Sequence, residues 1–159
     1  MDTVIIYASS HGTTEKAAKM LGQKITGQVT IIDLKKIKNL DLEEFDQVII
    51  GGSIHAGMIQ RKVTNFMKRF ENELLAKRLG LFLCCMREGE SANVQFEQSY
   101  PQVLREHSKA NGLFGGEFLF GKMNYIEKTI IKKMKGDTED VSTLDEKAIN
   151  EFAKSLLDY

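Results

Sequence analysis

Apolar strand-like runs alternate along this chain with segments of helical period, and that alternation limits the fold more than any other feature of the sequence. The runs are Thr3–Ala8, Gln28–Leu34, Gln47–Gly51 and Leu79–Cys85, with a fifth expected around Glu117-Phe118-Leu119-Phe120. A first helix is predicted from about Thr13 to Ile25, with Ala17, Ala18, Leu21 and Ile25 turned inward. A second carries Val63, Phe66, Met67, Phe70 and Leu74 on one stripe. Met86–Tyr100 reads as a looser region, and Pro101 then suits the first turn of a helix running to about Ala110. The last helix is expected to start at a capping box, Thr143 with Glu146, and to bury Ala148, Ile149, Phe152 and Leu156. Leu79–Cys85 is apolar nearly throughout, which suits a strand covered on both faces. The expectation is a single three-layer α/β domain over residues 1–159: a five-stranded parallel sheet of order 2-1-3-4-5 with helices on both faces.

Composition narrows the classes. At 159 residues, 42% hydrophobic and 28% charged, the chain can bury a core without disulfides or a structural metal. Twenty-two basic residues balance 22 acidic ones, so bulk charge does not point to nucleic acid. Cys84 and Cys85 are adjacent, a spacing that suits neither a disulfide with each other nor a metal knuckle, and a reducing compartment follows. With no signal-peptide pattern and no apolar run of spanning length, a cytoplasmic location is expected.

In a sheet of this order, ligands bind beyond the carboxyl ends of the strands, where the strand order reverses. The loops after strands one, three and four are therefore the ones to read. After strand one stand Ser9, Ser10, His11, Gly12, Thr13 and Thr14, at the start of a helix. Helix amides and dipole favour an anion there, hydroxyls add donors, and Gly12 admits close backbone approach. Ser and Thr also serve simply as helix caps. No Gly-Lys-Ser/Thr follows, so the loop is not a Walker A motif; nor is it a Gly-x-Gly-x-x-Gly turn. A phosphatase loop would need a cysteine here, and a receiver domain would need paired acids where Ala8 and Ser9 stand.

Ser9, Gly12 and Thr14 resemble the flavodoxin phosphate signature Ser/Thr-x-Thr-Gly-x-Thr, with His11 in place of Thr. Gly51-Gly52-Ser53-Ile54-His55-Ala56-Gly57 resembles the first flavin-flanking loop of that family, and Cys85-Met86-Arg87-Glu88-Gly89 stands where the other flanking loop belongs. More narrowly the chain resembles the menaquinone-dependent protoporphyrinogen oxidase branch. That likeness rests on Val48–Gly57, on Gly121–Tyr125 and on Ile130–Asp140. The resemblance implies a flavodoxin-like domain binding FMN noncovalently. Ser9–Thr14 would hold the phosphate, with Ser53, Ile54, His55, Ala56 and Gly57 on one side of the ring and Met86, Arg87, Glu88 and Gly89 on the other. No catalytic residue is assigned and no metal is expected.

The third loop lacks the aromatic that flavodoxins usually stack on the ring, which leaves His55 to stack, to hydrogen-bond, or to be a plain polar residue. Ala56 or Gly57 could offer the backbone group that meets the flavin N5, and Gly57 equally suits a turn. Arg87 could steady an anionic reduced flavin or a substrate propionate, or sit solvated. Lys122–Lys135, within an extra segment of about 122–140, carries Ile126, Ile130, Ile131 and Met134 as an apolar stripe among lysines. Such a helix can lie on an anionic membrane surface, where a quinone would be met, or pack on the domain or at a dimer contact. The resemblance thus implies an FMN oxidoreductase passing electrons from a porphyrinogen to a quinone. The alternative is a small electron-transfer flavodoxin docking on a redox-protein partner. Carriers of that kind are strongly acidic, so the zero net charge favours the enzyme.

Overall fold

Along β1 (Asp2–Tyr7), successive side chains turn to opposite faces of the sheet, and both faces are buried. Val4 and Ile6 enter one core; Ile5 and Tyr7 enter the other. This double burial is why the central strands read as unbroken apolar runs. The computed structural model describes residues 1–118, 141–142 and 144–157.

The elements follow in the order β1, α1 (Thr13–Gly22), β2 (Gln28–Asp33), β3 (Gln47–His55), β4 (Met58–Ile59), α2 (Arg61–Leu75) and β5 (Arg78–Cys84). After these come α3 (Gly89–Ser99), α4 (Gln102–His107), β6 (Ala110–Leu113), β7 (Glu117–Phe118), β8 (Val141–Ser142) and α5 (Glu146–Ser155). Five parallel strands lie in the order β2-β1-β3-β5-β6, with β4 paired antiparallel to the end of β3. Counted among the parallel strands alone, this is the expected 2-1-3-4-5 order. The α/β flavodoxin-like architecture is therefore as read.

Helices α2, α3 and α4 supply Val63, Phe66, Met67, Phe70, Leu74, Phe96 and Leu104 to one core. Helices α1 and α5 supply Ala17, Ala18, Leu21, Ile149, Phe152 and Ala153 to the other. Each large apolar side chain fully buried in this way contributes about 1.5–3 kcal/mol. Tyr100, fully buried behind α3, donates its hydroxyl to the Phe82 carbonyl in the middle of the sheet.

Four expectations need correction. The fifth parallel strand is Ala110–Leu113; Glu117–Phe118 instead pairs antiparallel with Val141–Ser142 in a separate ribbon. Gly112 disguises the true strand, because Phe114 and Phe152 fill the space a side chain would take there, within 2.8 Å of an added Cβ. Second, Met86–Tyr100 is not loose, since it contains α3. Its inward face includes the polar Gln95 and Ser99 beside Ala92 and Phe96, and Ser99 Oγ is satisfied by donating to the Gln95 carbonyl at 2.7 Å. Third, α1 and α4 are shorter than expected, ending at Gly22 and His107. Fourth, α5 is capped by Asp145, whose carboxylate accepts from Ala148 N–H at 3.0 Å. Thr143, Gly121–Tyr125, the Lys122–Lys135 segment and Ile130–Asp140 lie outside the described residues. Among the described residues, no helix is long and apolar enough to cross a membrane.

Candidate functional site

Strands β1, β3 and β5 are parallel neighbours, so their carboxyl ends share one edge of the sheet. The order turns back between β1 and β3, and this edge is where a crevice opens in such sheets. All three expected loops are brought to it.

The first loop is tied down from within. Ser9 Oγ accepts from Gly12 N–H at 2.8 Å, and the Lys35 ammonium donates to the Ser9 carbonyl. Gly12 is the N-cap of α1 at φ 93°, a conformation that side chains rarely adopt. As glycine it has no side chain to occupy the first-turn amides of α1. Thr13 and Thr14 are buried, and the Thr14 hydroxyl oxygen has no hydrogen-bond partner among the described residues. An enclosed hydroxyl without a partner at an uncapped helix start suits an anion that supplies the missing oxygen. The residues present therefore fit a phosphate.

The second loop is not a loop for most of its length. Strand β3 continues through Ser53, Ile54 and His55, turns at Ala56-Gly57, and returns as β4. Both turn residues have positive φ, 51° and 80°, the pattern of a type I′ hairpin whose twist matches its strands. The hairpin brings Gln60 back beside Ser53. Ser53 N–H donates to Gln60 Oε1 at 2.9 Å, and Gln60 Nε2 donates to Ser53 Oγ at 2.6 Å and to Ser10 Oγ at 3.1 Å. The His11 and His55 rings meet edge to face, with centroids 5.6 Å apart. The Ser9–Thr14 loop and the hairpin are thus joined at two points. The flavin-flanking sequence pattern ends at Gly57, so Gln60 lies beyond it. The signal that could have found it was the Ala56-Gly57 turn, which folds the next residues back on the strand.

The third segment, Met86, Arg87, Glu88 and Gly89, is exposed apart from the half-buried Met86. It is anchored on the far side from the hairpin: Cys85 N–H donates to the Gly115 carbonyl at 2.9 Å, and the backbone of Gly116 runs so close that a Cβ added there would fall within 3.1 Å of Cys85 and Met86. Glu88 caps α3, so the free span between β5 and α3 is short. Cys84 and Cys85 are buried and not disulfide-bonded, and burial pushes the Cys85 thiol up, so it stays protonated at neutral pH. Among the described residues, no cluster of His, Cys, Asp and Glu is placed to hold a metal.

Tyr7 closes the floor where β1 reaches this edge. Burial, together with the carboxylates of Asp33 and Glu15, pushes its phenol from 10.0 up to about 12. The unfolded chain ionises first, so the folded state binds the extra proton between these values. Stability is then fully present below about pH 10 and is lost as pH rises towards 12. Urea midpoints measured across that range should fall, and Tyr7→Phe should remove part of the fall. Tyr100, also raised by burial, supplies another part.

Known proteins share this fold. A family model described as Flavodoxin domain matches residues 4–145. Protoporphyrinogen IX dehydrogenase [quinone] of Leishmania major is 20% identical over 169 residues, covering 96% of this chain and 73% of that protein. Rubredoxin oxygen:oxidoreductase from the anaerobe Desulfovibrio gigas superposes with a TM-score of 0.57 at 19% identity, over 99% of this chain; the chain spans only 37% of that protein's length. The two-electron reduced flavodoxin of Megasphaera elsdenii superposes with a TM-score of 0.61 at 14% identity, over 97% of each chain. At these identities the structural likenesses speak for fold alone. Given a family match over most of its length, a sheet of the matching order and a phosphate-fitting loop at its switch point, the chain belongs to the flavodoxin domain family, and its cofactor is FMN.

Proposed function

We propose that this protein is an FMN-dependent oxidoreductase of the protoporphyrinogen IX dehydrogenase (quinone) type. The observation that carries the flavin assignment is the buried Thr14 hydroxyl, which has no partner among the described residues, at the start of α1. Ser9, Ser10, His11, Gly12, Thr13 and Thr14 would hold the phosphate. Ser53–Gly57 would flank one side of the ring and Met86–Gly89 the other. Bound FMN supplies the capacity to accept electrons from a reduced donor and pass them to an acceptor. The chain's own part is to bind, orient and insulate: hydroxyls and helix amides meet the phosphate, and the hairpin presents backbone groups from a strand end. Arg87, exposed at the sheet mouth, can meet an anionic group on the donor.

Two observations support the enzyme over the carrier. The Leishmania major relative aligns along 96% of this chain, and the balance of 22 basic and 22 acidic residues lacks the acidity of a docking carrier. The Lys122–Lys135 segment would bring the protein to a membrane surface holding quinone.

The test begins with titration of the apoprotein by FMN, followed by fluorescence quenching. The holoprotein is then assayed for protoporphyrinogen oxidation with a menaquinone analogue. Saturable FMN binding and quinone-dependent turnover are the expected results. Absence of FMN binding overturns the cofactor assignment. FMN binding without turnover, combined with reduction by a redox-protein partner, makes the protein a small electron carrier instead.

A further inference from the structure

Gln60 occupies an unusual place. It caps α2 with its backbone, its carbonyl accepting from Val63 N–H at 3.0 Å, while its side chain reaches both the hairpin and the phosphate loop. The orientation of its amide is fixed by chemistry. A backbone N–H can only donate, so the atom 2.9 Å from Ser53 N must be the amide oxygen. The other end is therefore the NH2 group. Its two hydrogens go to Ser10 Oγ at 3.1 Å and Ser53 Oγ at 2.6 Å. Every donor of the amide is spent.

A hydroxyl that accepts a hydrogen bond still has its own proton to give. Among the described residues, neither the Ser10 nor the Ser53 hydroxyl donates to a protein acceptor. Gln60 thus turns both serines into donors at the site, one on the phosphate loop and one on the hairpin. Rotation of either hydroxyl to donate towards Gln60 would set two protons against each other.

We propose that Gln60 is a positioning residue that sets the donor polarity of Ser10 and Ser53, and that through Ser10 it makes the site prefer a phosphorylated flavin over riboflavin. This rests on the reading that the Ser9–Thr14 loop takes the phosphate. A phosphate offers only acceptors near neutral pH, so a hydroxyl locked as a donor gains a charge-assisted bond, and one free to rotate must first be oriented.

Gln60→Glu reverses this polarity with little change of shape. A carboxylate only accepts, so both hydroxyls would donate to it and turn lone pairs to the ligand. Dissociation constants for FMN and for riboflavin would be measured by quenching for wild type, Gln60→Ala, Gln60→Glu, Ser10→Ala and the Ser10→Ala/Gln60→Glu pair. Melting curves of each apoprotein check folding. The readout is the ratio of the two constants.

Gln60→Ala and Ser10→Ala should each lower the preference for FMN about tenfold, the worth of one charge-assisted hydrogen bond. Gln60→Glu should lower it about a hundredfold, since a donor is replaced by a repelling lone pair. With Ser10 already alanine, the Glu substitution should have little further effect on the ratio, because the hydroxyl that transmits it is gone. A penalty undiminished in the Ser10→Ala background would mean that the new charge repels the phosphate directly, and would overturn the proposal. So would an unchanged ratio in Gln60→Ala and Ser10→Ala, even if Gln60→Glu fails to fold. Failure of the wild type to prefer FMN would instead defeat the phosphate-loop reading beneath it.

Discussion

Gly51→Ala is expected to destabilise the protein by about 3 kcal/mol, at the upper end for an overpacked core. Gly51 lies within β3, paired with Tyr7 on one side and Phe82 on the other. A Cβ at this position would fall 2.0 Å from Phe82 Cζ and 2.4 Å from both Cε atoms. The ring cannot step aside. Phe114 is stacked on it with centroids 4.7 Å apart, and Phe152 meets its edge at 6.2 Å. All three rings are buried. The added methyl must therefore push apart the sheet or the α5 layer. For a domain of this size the melting temperature should fall by about 8 °C. A shrunken ring partner should undo part of the damage, so Gly51→Ala combined with Phe82→Leu should be more stable than additivity allows. A loss under about 1 kcal/mol in urea unfolding would show that the Phe82 ring has room the packing denies it.

Gly12→Val is expected to act on the ligand far more than on the fold. At φ 93° and ψ −8°, Gly12 sits where an L side chain is strained, and a β-branched one most of all. Relief requires the loop to change its path between Ser9 and Thr13. That breaks the Ser9 Oγ bond to Gly12 N–H and re-aims the start of α1. The fold loses about 1–2 kcal/mol, the usual cost of a side chain in left-handed backbone. FMN affinity should fall at least about a hundredfold, because several amide and hydroxyl donors lose their common focus together. Riboflavin, which makes no phosphate contact, should lose much less. FMN binding within about threefold of wild type would remove this loop from the phosphate site.

Legibility followed hydrophobic contrast. The α2 stripe of Val63, Phe66, Met67, Phe70 and Leu74 was plain in the sequence because each of these side chains is large, apolar and buried. The sheet order followed from the same contrast in β1, β3 and β5. Helix α3 was hidden because Gln95 and Ser99 share its buried face, which leaves only Ala92 and Phe96 to mark a stripe. β6 was hidden because its Asn111 and Gly112 carry no strand signal; Gly112 is there to admit the Phe114 and Phe152 rings. The Ser9–Thr14 loop proposed for the phosphate was readable as local chemistry, since hydroxyls, a glycine and a helix start are adjacent in the chain. The Gln60 clamp was not, because it exists only after the hairpin has brought residues 53 and 60 together and the β1–β3 pairing has added residue 10.

The continuation of β3 into the hairpin has a consequence for how the two segments proposed to flank the flavin bear the entropy of binding. On the hairpin side, backbone dihedrals are already set by ladder pairing of Ile54 with Ile59 and His55 with Met58, so little freedom remains to be lost when a ring arrives. On the other side, Arg87 and Glu88 stand exposed between a strand end and a helix cap, outside any ladder. The ordering cost therefore falls on one wall. If the ring binds between them as proposed, the hairpin wall holds its register, and the short span tied at Cys85 and at the start of α3 takes what ordering remains.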